Sequence, residues 1–211
     1  MEAKLDHKKN NINNSGTTLK IGFLTPHNPF DRNSFSGTIY YMHMAMCDNP
    51  NFDVRVIAKS LHCSLLIKRL FSMSSRLGPY AYRVAYSIYT RFFASWSELE
   101  LIRKNDIDVI IAPIASSTLS CFKYAEYLPP IIFITDATPG FIEETYNEHI
   151  TKQALRAEHT TLRTCKSVVY SSRFMAERAL KEFSNTLKHD ESKVAVIPFG
   201  LNIDCLLYTS P

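Results

Sequence analysis

Glycine is sparse in this sequence, with 6 residues against 11 tyrosines and 13 phenylalanines, which excludes fibrous and low-complexity classes. No uninterrupted apolar run approaches the roughly 20 residues that a spanning helix needs, so no integral membrane segment is expected. The first residues carry lysines and asparagines but no apolar stretch of the kind a secretory signal requires. That points to a cytoplasmic chain with a disordered lead-in over 1–18. The five cysteines stand at 47, 63, 121, 165 and 205 without a close pair, which argues against a zinc knuckle, a redox CxxC or a disulfide framework. They read as reduced, mostly buried thiols. Also missing are a Cys/His pair, a Ser/His/Asp order, an HExxH and a Walker loop, so hydrolase and P-loop readings have no support and no metal is implied.

Acids are absent from one long stretch. Between Lys59 and Ser97 stand Lys59, Lys68, Arg69, Arg76, Arg83 and Arg91 with no Asp or Glu, although the net charge of the whole chain is only +4. The mild total argues against nucleic acid as a partner. Within the same stretch Tyr82, Tyr86, Tyr89, Phe93 and Trp96 step by four and three residues, an aromatic helical stripe begun by Gly78-Pro79. An amphipathic helix packed on a sheet explains the stripe; a basic, aromatic surface meeting anionic membrane, through 59–97, is the functional alternative.

What is present is a globular composition: 211 residues, 45% hydrophobic and 21% charged. Short apolar runs rich in β-branched residues predict strands at Lys20–Thr25, Val54–Ala58, Val109–Ala112, Ile131–Thr135, Ser167–Tyr170 and Val194–Ile197. They are apolar almost throughout instead of alternating, as strands buried on both faces of a parallel sheet are. Helical patterns lie between them: Thr38–Cys47, two segments across Leu61–Lys104, Ser117–Tyr127, Asn147–Thr164 and Arg173–Leu187. Such alternation predicts an α/β fold, a Rossmann-like parallel sheet with helices on both faces and its ligand crevice at the carboxyl ends of the strands.

Three strand ends are candidate sites. After the first strand, Ser36, Gly37 and Thr38 stand at a helix start, where unpaired N–H groups and the helix dipole can hold a phosphate; a simple cap is the alternative. After the fourth, Asp136 in Thr135-Asp136-Ala137-Thr138-Pro139-Gly140 could orient or deprotonate a hydroxyl, or serve as the N-cap of the following helix. After the fifth, Ser172 is suited to capping and Arg173 to binding an anion or an acceptor.

Taken in order, IGFLTP, DRNSFSGTIYYMHMAM, IIFITDAT, Ala157-Glu158 leading to CKSVVYSSRFMAERAL, and KVAVIPFGLNID resemble the N-terminal domain of family 4 glycosyltransferases with the GT-B fold. The likeness covers about 19–204, and VIPFG-LNID looks like that family's hinge into a second domain. The resemblance implies transfer of a sugar from a nucleotide-sugar to an acceptor, with retention and without a cofactor. This domain would carry the acceptor side. It places Gly37 near the donor phosphates, and Asp136 where many members have a histidine, as the candidate catalytic residue. The donor-binding second domain would lie beyond Asp204, so the present chain is expected to be inactive alone. Residues 205–211, CLLYTSP, resemble the in-frame translation of a transposase adapter and read as a non-native tail. The alternatives are a GT-B-fold sugar-nucleotide epimerase and a stand-alone Rossmann-like binding module without catalysis.

Overall fold

The computed structural model describes residues 18–57, 95–125, 127–147, 149–187 and 190–200. Six strands form one sheet: β1 (Leu19–Phe23), β2 (Phe52–Val56), β3 (Val109–Pro113), β4 (Ile131–Thr135), β5 (Ser167–Tyr170) and β6 (Val194–Val196). Every pairing is parallel, in the order β2-β1-β3-β4-β5-β6. Helices α1 (Thr38–Cys47), α2 (Ser95–Lys104), α3 (Ser116–Leu119), α4 (Pro139–Tyr146), α5 (Lys152–Thr164), α6 (Arg173–Glu182) and α7 (Ser184–Leu187) lie between the strands. This is the expected α/β, Rossmann-like architecture.

The continuous apolar runs are explained by burial on both sides. Ile21 and Phe23 of β1, Ile111 of β3, Ile134 of β4 and Val169 of β5 join Ile39 of α1 in one cluster. Their neighbours in the pleat, Ile110, Ala112, Ile131, Phe133, Val168 and Tyr170, face the opposite way and join Ile102 of α2, Leu119 of α3, Leu162 of α5 and Met175 of α6. Alternate residues of one strand thus feed two cores. Gly22 keeps β1 thin on this second side: a Cβ there would stand 2.5 Å from Ile57 Cδ1 and 3.1 Å from Ile107 Cγ2.

Several expected boundaries shift. The helix read over Asn147–Thr164 starts later, at Lys152 after the Thr151 cap, while Asn147, left-handed at φ 52°, closes the separate helix α4 before it. The pattern at Ser117–Tyr127 resolves into α3 and a 3-10 turn over Ser120–Tyr124. Arg173–Leu187 breaks at Phe183 into α6 and α7. Of the described cysteines only Cys165 is buried; Cys121 is half-buried and Cys47 exposed. The basic stretch 59–97 and its aromatic stripe fall largely outside the described residues, as do the lead-in up to 17 and the tail 205–211. Among the described residues no helix is long and apolar enough to cross a membrane.

Candidate functional site

From β1 the chain steps outward to β2, then returns past β1 to β3 and proceeds the other way. The two connections therefore diverge at the carboxyl ends of β1 and β3 and leave a crevice, where open α/β sheets take ligands. The first wall is the segment after β1. Thr25 receives the His27 N–H on its hydroxyl at 3.2 Å, Asn28 receives the Phe30 N–H at 3.1 Å, and Asp31 receives the Asn33 N–H at 2.9 Å. Side-chain oxygens that accept from the backbone two residues on close a chain of tight turns.

The loop then enters α1 through three consecutive left-handed residues, Phe35 (φ 50°), Ser36 (φ 53°) and Gly37 (φ 79°). Gly37 is the N-cap, buried and supplying no side chain, and the Thr38 N–H turns back onto the Phe35 carbonyl. Gly37 itself therefore gives the next amides of α1 no side-chain cap. The other long helices at hand differ: Thr138 accepts from the Phe141 N–H, Thr151 from Ala154 and Ser172 from Met175. The positive end of α1 thus begins beside the switch point without a cap from its own N-cap residue.

On the neighbouring strand, β3 is followed by Ile114, a β-branched residue held left-handed at φ 54°. Such a backbone costs roughly 1–2 kcal/mol for a side chain of this shape. Phe35 and Ile114 both pack against the Phe23, Ile39 and Ile111 cluster, so the two strained residues share an apolar floor.

Sequence reasoning passed over two histidines here. His27 lies half-buried with its ring 5.0 Å from that of Phe35, and burial lowers its pKa. His43, in α1, is 6% exposed and sits between Phe23 and Phe30, each at 5.3 Å. Its Nδ1 has no hydrogen-bond partner among the described residues, and burial lowers its pKa as well. Its Nε2 lies 3.5 Å from Cys47 Sγ, a Cys/His pair at helical spacing that the expectation of none had excluded. The pair is no activated nucleophile, since burial and Asp48 both raise the thiol pKa.

Asp136 is half-exposed at the end of β4 and makes no hydrogen bond or ion pair among the described residues. It does not cap α4. Thr138 does, with Pro139 at the first helical position, while Thr135 binds the Ala137 carbonyl at 3.1 Å. The Glu182 carboxylate, arriving from α6, accepts the Gly140 N–H at 2.8 Å and fills the α4 N-terminus. At β5, Ser172 caps α6, and Arg173 is exposed. The β4 and β5 ends are tied by the Ser171 N–H to the Thr135 carbonyl at 3.3 Å, which brings Asp136 and Ser172 into adjacent loops. Gly37 shares their edge of the sheet, but β3 intervenes, so the β1 and β4 ends are separated by about 10 Å, two strand spacings. A ligand of two or three linked groups could span that interval.

Among the described residues no cluster of His, Cys, Asp and Glu suits a metal. No known family model matches the chain, and no curated protein does.

Proposed function

We propose that this domain is the acceptor-side, N-terminal half of a family 4, GT-B-fold glycosyltransferase, acting on a nucleotide-sugar with retention. The observation that carries the proposal is the start of α1: a buried left-handed glycine at the N-cap, which supplies no side-chain cap, and a position after β1 at the topological switch point. A diphosphate is the ligand chemistry such a terminus serves, because backbone N–H groups and the helix dipole stabilise negative charge as it grows on the leaving group. Asp136, with its carboxylate committed to no cap, is the group that would act on the acceptor hydroxyl. Arg173 would contact the acceptor or an anion beside it. No metal or cofactor is needed for these roles. The remaining cationic contacts to the donor would come from a second domain, and sugar, base and acceptor would be chosen there and in the loops. The basic stretch 59–97 would rest against anionic membrane at the cytoplasmic face.

The reading is tested by following backbone amide resonances of Gly37, Thr38 and Ile39 while inorganic pyrophosphate and a panel of nucleotide-sugars are added. Saturable shifts at these amides, weakened by salt, are expected, with Asp136 responding only to the nucleotide-sugars. Unmoved α1 amides at millimolar ligand would reject the phosphate role and with it the reading.

A further inference from the structure

One turn of α1 carries three soft donors that the proposed transfer leaves unused. His43 and Met44 stand four and three residues before Cys47, the spacings at which helix side chains become neighbours. His43 is 6% exposed, walled by the rings of Phe23 and Phe30 at 5.3 Å each. Its Nε2 faces Cys47 Sγ at 3.5 Å and its Nδ1 has no partner, so the thiol is the ring's one polar contact among the described residues. A thiol is a weak donor and a weak acceptor, and a buried imidazole held by so little is placed for a stronger ligand. Cys47 is exposed and Met44 is 38% exposed, which opens the turn to solvent on its sulfur side.

The separation of the two atoms selects the ion. An ion about 2.0 Å from an imidazole nitrogen and about 2.3 Å from a thiolate sulfur sees donors 3.5 Å apart at an angle of about 110°. That angle is far from linear and leaves a third place, for which Met44 is the donor one turn from Cys47. Zinc asks for four donors, and among the described residues no group of three or more His, Cys, Asp and Glu side chains could hold a metal. Imidazole, thioether and thiolate together suit a soft monovalent ion, cuprous copper above all. Burial lowers the His43 pKa and keeps the ring neutral, so it can ligate without first losing a proton. Burial and the neighbouring Asp48 charge hold the Cys47 thiol protonated, and that same carboxylate favours a cation at the sulfur.

We propose that His43 Nε2, Cys47 Sγ and Met44 Sδ form a binding site for a soft monovalent cation, cuprous copper, on the last turns of α1. The ion enters as Cu(I): a Cu–S bond replaces the S–H bond of Cys47, the thiol proton leaves to solvent, and no electron is transferred. Nε2 exchanges its thiol contact for the metal. With the thiol donating to bare Nε2, the ring proton sits on Nδ1 before and after, so the missing partner of Nδ1 adds no cost to binding. Phe23 and Phe30 fix the ring's orientation and shield the nitrogen side of the ion from water. The site stands whether or not the domain transfers sugar.

The test is an anaerobic titration of the reduced 211-residue protein with Cu(I) supplied from a chromogenic cuprous chelator, alongside Cys47→Ser and Met44→Leu. Both changes fall at exposed positions and leave the apolar core alone. The parent is expected to bind one equivalent of Cu(I) that Cys47→Ser fails to take, and Met44→Leu to hold that equivalent about tenfold more weakly. The other cysteines are common to all three proteins and cancel in the difference. In the parent, the His43 Nε2 resonance is expected to shift with the same equivalent and to stay unmoved by Zn(II) at equal concentration. Equal uptake by the parent and Cys47→Ser, equal affinity in Met44→Leu, a His43 ring that does not respond, or Zn(II) taking the same place overturns the proposal.

Discussion

Gly140 and Glu182 are fitted to each other at backbone range: the Gly140 N–H donates to Glu182 Oε1 at 2.8 Å, and a Cβ on residue 140 would lie 2.8 Å from Glu182 Oε2 and 2.9 Å from its Cδ. Only a residue without a side chain lets the carboxylate reach the α4 N-terminus. Gly140→Ala should therefore expel Glu182 despite the usual helical preference for alanine, with a loss of about 1–2 kcal/mol as the half-buried amide and carboxylate part. Denaturant unfolding of parent and variant checks this. A stabilised variant would show that propensity outweighs the contact.

Thr138 and Asp136 separate cap from candidate chemistry. Since the Thr138 hydroxyl accepts the Phe141 N–H at 3.2 Å, Thr138→Ala should cost about 1 kcal/mol of stability. Asp136→Asn should leave the melting temperature within about 2 °C of the parent, because the carboxylate holds no partner among the described residues. In an enzyme that includes this domain, Asp136→Asn should lower kcat at least tenfold, a loss of about 1.4 kcal/mol in barrier terms. Equal kcat values would remove Asp136 from the reaction.

Gly37 has φ 79°, so any L-residue with a Cβ is strained there. Gly37→Ala should destabilise by about 1–2 kcal/mol, and Gly37→Asn by less, since asparagine tolerates the left-handed region. Thermal melts rank the pair. If alanine and asparagine are equally well tolerated, the turn into α1 is not fixed in this conformation.

The two histidines give stability a pH dependence with a defined sign. Burial lowers both pKa values from the ordinary 6.5, so the unfolded chain binds protons that the folded one refuses. Stability is then present above the unfolded value and falls as pH drops below about 6.5. His43→Leu removes one of these protons and the unpaired Nδ1, so the acid-side slope should become shallower while stability at neutral pH changes by no more than about 1 kcal/mol. Urea unfolding at several pH values between about 5 and 8 measures both slopes. Parallel profiles would mean that His43 does not titrate within this range.

The strands Ile131–Thr135 and Ser167–Tyr170 and the helix Thr38–Cys47 were legible to the residue because each is a single unbroken pattern bounded by turn formers. β2 starts earlier than its composition suggests, at Phe52, because its extent is set by pairing with Leu19 of β1. At α4 the sequence held the answer: Pro at the first helical position makes the residue before it the cap, which selects Thr138 over Asp136. His43 and Cys47 are four apart, a spacing that becomes a contact only on a helix. The contact between Gly140 and Glu182 had no local signal at all, since the two are 42 residues apart in the chain.

An all-parallel sheet contains no hairpin, and that governs the order in which this chain can assemble. The contact between the Lys20 N–H and Asp108 spans 88 residues. β1 therefore cannot gain its inner neighbour until the whole intervening chain has been synthesised and its loop entropy met, whereas β3 through β6 join partners that are close in sequence. The C-terminal strands are the natural nucleus. β1, one strand in from the edge of the sheet, can meet β2 and α1 early, but its β3 side must wait for them.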